Sequence, residues 1–392
     1  MVKKNMIEIL KNVVYWSFNF FLRILYTFFL FLPIDSKKIF INCFDGEGIN
    51  DSPKYIFKEL KKIDPEIHAA FFIKNGVKVD RSFKNEKAVK LNSLQSIYEM
   101  ATSKIWISTV RMPIYSVKRK KQWYIQTWHG CIALKRIEKD TQRTLSSRYL
   151  AQAKYDSKQI DYFFSNSDFA TNLFQNSFWY TGQVKRIGSP RMDLIVNHSE
   201  VNDTVKEKIG IEKGVKLLLY APTFRNHGSF SHYELNFDKL IERLELSTNE
   251  RWVIGIRLHP RIARMAVNHF KFSEKLINLS DFPDIQLLMI GTDALITDYS
   301  SVMFDFMQTN RPIWLYADDI ESYRFERSFY FEFRELPFSL ATTQNELEKN
   351  IKEYKRPEYL YKKGIFERNL GIDNNGNAAK KAAIFVRKLM KG

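Results

Sequence analysis

Residues 296–306 read ITDYSSVMFDF. The apolar run Ala294–Thr297 stops at Asp298, which turns the chain, and Ser300 and Ser301 then open a stretch whose apolar residues fall at helical spacing. A strand that passes so directly into a helix is half of a βαβ unit, so this stretch predicts a parallel sheet flanked by helices. The pattern recurs on both sides. Ile313–Tyr316 follows as a strand, and Lys216–Tyr220 (KLLLY) and Arg251–Leu258 (RWVIGIRL) precede it. A second series lies nearer the N-terminus: Lys38–Phe44 (KIFINCF), a helix from about Pro53 to Lys62, then strands at His68–Ile73, Ile105–Ser108, Trp123–Trp128 (WYIQTW) and Tyr162–Ser165. Between the two series, Gly188–Asp193 (GSPRMD) and the polar VNHSEVNDT mark a junction. The expectation is an α/β protein of two doubly wound domains facing a cleft, residues 35–195 and 196–392, with the last helix free to cross back to the first. Ligands in such folds bind at the carboxyl ends of the strands.

The composition suits that size. At 392 residues and 45% hydrophobic content the chain can build two ordinary cores, and wholesale disorder is excluded. The 61 basic and 44 acidic residues leave a net charge of +17, which calls for an anionic partner: a phosphate-bearing substrate, an acidic membrane or nucleic acid. Nucleic acid has no further support. There is no RNP aromatic pattern, zinc finger or basic recognition helix, and KRKK at 118–121 is the only dense basic run. Cys43 and Cys131 form no CxxC pair and no Cys/His cluster has zinc spacing, so a reducing compartment is expected rather than a disulfide framework.

Val13–Leu32 (VVYWSFNFFLRILYTFFLFL), preceded by Lys3, Lys4 and Lys11, has the length of a membrane span. It is too long and too aromatic for a signal peptide, and no small-residue cleavage site follows. Asn12, Asn19, Arg23 and Thr27, with Glu8 before them, form a narrow polar stripe at helical spacing on an otherwise apolar helix. Residues 1–34 are therefore expected as an amphipathic helix in the membrane interface, with Trp16 and the tyrosines at the headgroups and the lysines near anionic lipid. A true span and a helix packed on the protein are the alternatives. A span with Lys3 and Lys4 inside would carry the large domains out of the cytoplasm.

Four stretches place polar, phosphate-compatible residues just after predicted strands. His129 and Gly130 close WYIQTWHG, where a histidine is placed like a general base; the bland alternative is a helix cap. In YAPTFR, Thr223 offers a hydroxyl and Arg225 a fork suited to phosphate, against a merely solvated turn. In RLHP, Arg257 precedes His259, which the proline fixes as a donor to a phosphate oxygen, against a satisfied turn histidine. In TDYSS, Asp298, Ser300 and Ser301 stand at a helix start whose N–H groups favour anions, against an ordinary N-cap. The set outweighs its members. Two histidines, one per domain, with threonine, arginine and serines at strand ends, predict a pyrophosphate site between the domains. No GxxxxGK[ST] loop and no GxSxG elbow are present, and FDGEGIND (44–51) only weakly imitates GxGxxG.

TWHG with Lys135 close behind, GSPRMD with Arg191, YAPTFR, RLHP and TDYSSVMFDF, in this order and spacing, resemble the CDP-glycerol glycerophosphotransferase family, which builds wall teichoic acids and related capsule polymers. NDSPKYIFKEL (50–60) resembles that family's first strand–helix unit, and the likeness runs over roughly residues 38–380. The resemblance implies a GT-B-like fold of two Rossmann-type domains with interfacial attachment to the cytoplasmic face of the membrane. It implies transfer of glycerol-phosphate or ribitol-phosphate from CDP-glycerol or CDP-ribitol to a hydroxyl of an undecaprenyl-linked saccharide or polyol-phosphate acceptor, with CMP leaving. By the same resemblance His129 is the base that deprotonates the acceptor. His259 stabilises the pyrophosphate and the leaving CMP, assisted by Thr223, Arg225, Ser300 and Ser301, with Asp298 and Arg257 also on the donor side. Lys135, Gly130 and Arg191 are secondary candidates. Two departures stand out. The chain reads GCIALK after His129 where many members read GTPLK, and FYFEF (329–333) is not followed by the usual Pro-Gly-Pro. Both fall where acceptor or polyol is selected, so glycerol versus ribitol stays open.

A glycosyltransferase using a nucleotide sugar is the rival reading. It calls for a ribose-binding Glu in an ExxxxxxxE-like pattern, and SSVMFDFMQTNRPIW offers Asp305 alone. A protein that only binds nucleic acid or acidic lipid is the second rival. No cofactor is expected and no metal is required, since helix N-termini, histidines and arginine neutralise a pyrophosphate; magnesium on Asp298 is the variant.

Overall fold

Strands covered by helices on both faces need apolar side chains on both sides, and the continuous apolar runs become the central strands here. The computed structural model describes residues 2–130, 132–198, 200–225, 231–259, 262–263, 269–326 and 328–392, without the side chains of 2–8, 231, 325 and 326. The side chains of Lys3, Lys4 and Glu8, together with Cys131 and Pro260, thus lie outside the described set.

Among the described residues there are two sheets. The first holds β1 (Asp35–Asn42), β2 (His68–Phe72), β3 (Lys87–Val89), β4 (Ser103–Ser108), β5 (Trp123–Gln126), β6 (Tyr162–Ser165) and β7 (Gln183–Arg186), in the order β3-β2-β1-β4-β5-β6-β7. The second holds β8 (Lys216–Tyr220), β9 (Trp252–Ile256), β10 (Leu276–Asn278), β11 (Ala294–Thr297), β12 (Ile313–Tyr316) and β13 (Ser339–Ala341), in the order β10-β9-β8-β11-β12-β13. All pairings are parallel. In each sheet the strand order reverses beside the unit's first strand, between β1 and β4 and between β8 and β11. Doubly wound sheets take ligands beyond the carboxyl ends at such a reversal.

The chain divides into two units. Unit 1 comprises Met1–Cys131, Glu138–Arg191 and Asn377–Gly392; unit 2 comprises Ile132–Ile137 and Met192–Gly376. Unit 1 has a core of Ile39, Ile41, Phe71, Ile105 and Ile107, with Ala382 and Val386 added by the final helix, Ala378–Lys391. Unit 2 has its own core of Leu218, Ile254, Ile296, Trp314, Leu240 and Leu244.

Two predicted strands end earlier than their apolar runs. The Lys38–Phe44 run is a strand only to Asn42, because Phe44 takes a positive φ of 47°, and the Trp123–Trp128 run stops at Gln126, with Trp128 at φ 52°. The helix after TDYSS is also shorter than its apolar spacing suggests. Val302–Phe306 is five residues long and continues as a 3₁₀ turn over Met307–Thr309.

Helix α1 (Val2–Phe29) has an unusual polarity. Two positions of its polar stripe, Asn12 and Arg23, contact the protein. Arg148 hydrogen-bonds Asn12 and sits 5.0 Å over the Tyr15 ring, while Arg23 donates to the Ile114 carbonyl at 3.4 Å and lies 5.0 Å over the Tyr155 ring. Leu22 and Tyr26 are buried on the same side. The opposite side is apolar and open, with Phe20 66%, Phe28 68% and Phe31 87% exposed. Among the described residues no helix is long and apolar enough to cross a membrane, which removes the spanning alternative.

Candidate active site

In unit 1 the site is built on the end of β5. Gln126 Oε1 accepts the Trp128 N–H at 2.9 Å and fixes the left-handed turn that projects His129 from the strand end. His129 Nδ1 lies 2.8 Å from the Thr109 carbonyl oxygen. A carbonyl only accepts, so Nδ1 carries the hydrogen, and in the neutral ring Nε2 keeps its lone pair. Burial lowers the His129 pKa below its ordinary value, with the Thr109 carbonyl and Asp51 acting in the opposite direction. The imidazole is therefore neutral at physiological pH, as a base must be.

Two aromatic rings pack on the imidazole. Trp128 stacks on it with centroids 4.3 Å apart, and Phe44 packs at 5.4 Å. Trp128 is braced in turn by Phe178 at 4.7 Å and by the Arg111 guanidinium at 5.7 Å. Arg111 is itself buried between Glu138 (2.7 Å) and Asp156 (3.2 Å). Arg191 donates to the His129 carbonyl at 2.9 Å and to Asp51 at 2.8 Å, and both partners of that ion pair are buried. Arg191 thus holds the His129 backbone, and Gly130 follows directly in the chain.

In unit 2 the site collects at the carboxyl ends of β8, β11 and β12. Asp298 accepts the Thr223 N–H at 2.8 Å and the Tyr299 N–H at 2.5 Å, tying the β8 and β11 ends together. Arg225 does not present a free fork. Its Nε and Nη2 go to Asp319 at 2.7 and 3.1 Å, and its Nη1 goes to Asp298 at 2.8 Å and the Thr223 carbonyl at 2.6 Å. Arg225 thus ties together the segments that follow β8, β11 and β12. Burial acts to raise the Asp319 carboxyl, but hydrogen bonds from Arg225 and Tyr299 outweigh it and hold the group below its ordinary range. Arg225 also lies 4.8 and 5.0 Å over Tyr299 and Tyr323, which stack on each other at 3.8 Å. Lys135 donates to Tyr323 Oη at 3.1 Å, so this residue belongs to the unit-2 cluster. The Thr223 hydroxyl is buried with no hydrogen-bond partner among the described residues.

Over residues 24–388 the chain matches the family model for CDP-glycerol:poly(glycerophosphate) glycerophosphotransferases. The chain belongs to this family. A teichoic acid poly(glycerol phosphate) polymerase of Staphylococcus epidermidis is 31% identical over 376 residues, 91% of this chain but 51% of the relative, so the chain spans about half that protein's length. A teichoic acid glycerol-phosphate transferase of Staphylococcus aureus is 28% identical, with 97% of this chain and 98% of the relative covered. Among solved structures, the wall teichoic acid polymerase TagF soaked with CDPG is 28% identical with a TM-score of 0.83, covering 99% of this chain and 97% of that one.

The remaining residues expected at the site fall at the ends of β9 and β11. Arg257 is tied to the loop after β10, donating to the Leu279 carbonyl at 3.0 Å and the Phe282 carbonyl at 2.6 Å; burial lowers its pKa to about 10, so it stays charged. His259 is exposed beyond β9 and packs on Phe224 of the YAPTFR segment, centroids 5.7 Å apart. In the serine turn, Val302, Met303 and Phe304 donate to Ser300 Oγ, Ser300 O and Ser301 O, which leaves the Ser300 and Ser301 amides outside the pattern. Sequence reasoning missed Asp319, Tyr299 and Tyr323. The carboxylate pair Asp318–Asp319 just beyond β12 was the available signal. His232, Asp318 and Asp319 are close enough to share a cation, but Arg225 already takes both Asp319 oxygens.

Proposed function

We propose that the chain transfers glycerol-phosphate or ribitol-phosphate from a CDP-polyol to a hydroxyl of a lipid-linked teichoic-acid or capsule precursor, releasing CMP. The observation that carries this reading is the 2.8 Å contact of His129 Nδ1 with the Thr109 carbonyl, which leaves Nε2 as a neutral base. Nε2 takes the acceptor hydroxyl proton. The acceptor oxygen then bonds to the phosphorus that bears the polyol, and the bond from that phosphorus to the bridging oxygen breaks as CMP leaves. His259, the Ser300 and Ser301 amides and the Thr223 hydroxyl are the donors assigned to the pyrophosphate, and such donors act by meeting charge as it develops. Arg225, Asp298 and Asp319 hold them in place, and no metal is needed for this assignment.

The family likeness supports a GT-B arrangement, with the base on unit 1 and the donor groups on unit 2. Helix α1 is proposed to lie in the plane of the cytoplasmic leaflet, its open phenylalanine face in the acyl boundary. A nucleotide sugar as donor gains no support from the residues at the site.

The test is to incubate the purified protein with CDP-glycerol and with CDP-ribitol, each with a detergent-solubilised lipid-linked disaccharide or its polyol-primed form, and to measure CMP. One donor should support release, and His129→Ala should lower the rate by about 10²–10⁴. An undiminished rate in His129→Ala rejects the base assignment, and release of UDP or GDP from nucleotide sugars instead rejects the reaction class.

A further inference from the structure

The loop after β1 carries more backbone strain than a connection needs. Phe44 (φ 47°) and Asp45 (φ 53°) are consecutive non-glycine residues in the left-handed region, and Asp51, which opens helix α2 (Asp51–Ile63), is a third (φ 56°). Such residues persist where neighbouring contacts over-determine them, and they cluster at ligand sites.

The determining contacts are visible. Thr109 is fully buried beyond β4; its Oγ1 accepts the Phe44 N–H at 3.0 Å, its carbonyl accepts His129 Nδ1–H at 2.8 Å, and its own N–H donates to the Asn42 carbonyl at 3.0 Å. A single residue thus sets the loop against the base, and the Phe44 ring lies on the imidazole. The far side of the loop is equally fixed. Gly46 accepts the Lys74 N–H at 2.9 Å, and a Cβ at Gly46 would stand 2.9 Å from that nitrogen.

The result of all this is the placement of Asp45, solvent-accessible, at the reversal between β1 and β4. Asn42 is fully buried beneath it, donates Nδ2 to Asp45 Oδ1 at 3.4 Å, and leaves its own Oδ1 with no partner among the described residues. A buried amide left half-satisfied calls for a reason, and here it steadies a carboxylate. Desolvation raises the Asp45 carboxyl from its ordinary value, with Asn42 and Lys74 acting in the opposite direction.

We propose that Asp45 reads the acceptor: its carboxylate accepts a hydrogen bond from the hydroxyl adjacent to the one that His129 deprotonates, so the acceptor is recognised as a vicinal diol. The proposal rests on His129 as the base. A glycerol-phosphate end, a ribitol-phosphate end and a pyranose all offer such a neighbouring hydroxyl, so the contact serves any of these acceptors.

Asp45→Asn is the probe, because asparagine keeps the shape and accepts a left-handed φ. Steady-state CMP release is measured with the acceptor that supports turnover and with its counterpart lacking the adjacent hydroxyl. We expect acceptor KM to rise about tenfold or more in Asp45→Asn, in keeping with loss of a charge-assisted hydrogen bond, with donor KM and melting temperature unchanged. The deoxy acceptor should lose the same factor with wild type and nothing further with the variant. An unchanged acceptor KM, equal discrimination by wild type and variant, or a fall in melting temperature with both KM values shifted each overturns the proposal. His129→Ala in parallel separates the two readings. Full activity in that variant removes the base and this proposal together, whereas an inactive His129→Ala beside a normal Asp45→Asn removes only the proposal.

Discussion

At the scale of residues, His129 owes its chemistry to a backbone carbonyl that no substitution at Thr109 removes. The Thr109 oxygen selects the tautomer, and burial sets the charge. The sign follows from the burial: removing water disfavours the imidazolium, so more acid is needed to protonate the ring than for an ordinary histidine near 6.5. If the neutral ring is the base, as proposed, kcat/KM should hold through neutral pH and fall only as the medium is made acid enough to protonate it. The acid limb of the pH profile, measured by CMP release, should therefore lie below the ordinary histidine value. A limb at or above that value would show that the imidazolium is not disfavoured and that another group is titrating. Arg225 teaches the reverse lesson. Its position after a strand was readable, but its partners Asp298 and Asp319 arrive from 73 and 94 residues away, and they hold the guanidinium between two carboxylates.

At the scale of elements, helix α1 inverts the usual rule, because Asn12 and Arg23 lie on its docked side beside Leu22 and Tyr26 while its phenylalanines are left open. An apolar face that size on a helix pinned by Arg23 and Arg148 suits insertion into a bilayer surface better than packing in water. Replacing Phe20 and Phe28 together by Glu should release the protein from sedimenting anionic vesicles while leaving its melting temperature unchanged. Vesicle binding that survives the double substitution would reject α1 as the anchor. The stripe of Asn12, Asn19 and Arg23 was legible as a pattern, but the side that it faces was not, because periodicity locates a face and only tertiary contacts such as Arg148 to Asn12 say what covers it. The strands show the same limit. Ile39–Ile41, Leu217–Leu219 and Leu295–Ile296 lie in central strands, and their unbroken apolar runs announce them. The four strands without a readable signal, Lys87–Val89, Gln183–Arg186, Leu276–Asn278 and Ser339–Ala341, are the edges of the two sheets. An edge strand pairs on one side only and needs fewer apolar residues, so QVKR can pair with YFFS and still look like a loop. The strand-end motifs were legible for the complementary reason: His129, Thr223 and Asp298 follow strong central strands, so their positions were fixed by the best-defined part of the pattern.

At the scale of the whole molecule, the six-strand order of the second sheet is also that of the first six strands of the seven-stranded one, each around a separate core, with a polar cluster at the carboxyl ends of each sheet. This division assigns different chemistry to different cores, and that is testable without turnover. If unit 2 carries the donor groups, CDP-glycerol must stabilise it by mass action whether or not the base is present. At about 100 times its Kd, a ligand adds roughly 2.7 kcal/mol, which for a unit of this size raises the melting temperature by several degrees. His129→Ala should show the same donor-dependent shift in calorimetry as wild type, because His129 lies in unit 1. Arg225→Lys should lose most of it. A lysine cannot bridge Asp298 and Asp319 at once, so the ends of β8 and β11 lose their common anchor and the Thr223 and Ser300 donors lose their alignment. The same substitution should lower the melting temperature without donor, since opening a buried clamp costs about 3–5 kcal/mol. A full donor shift in Arg225→Lys, or none in His129→Ala, would mean that donor binding is not organised by the unit-2 cluster.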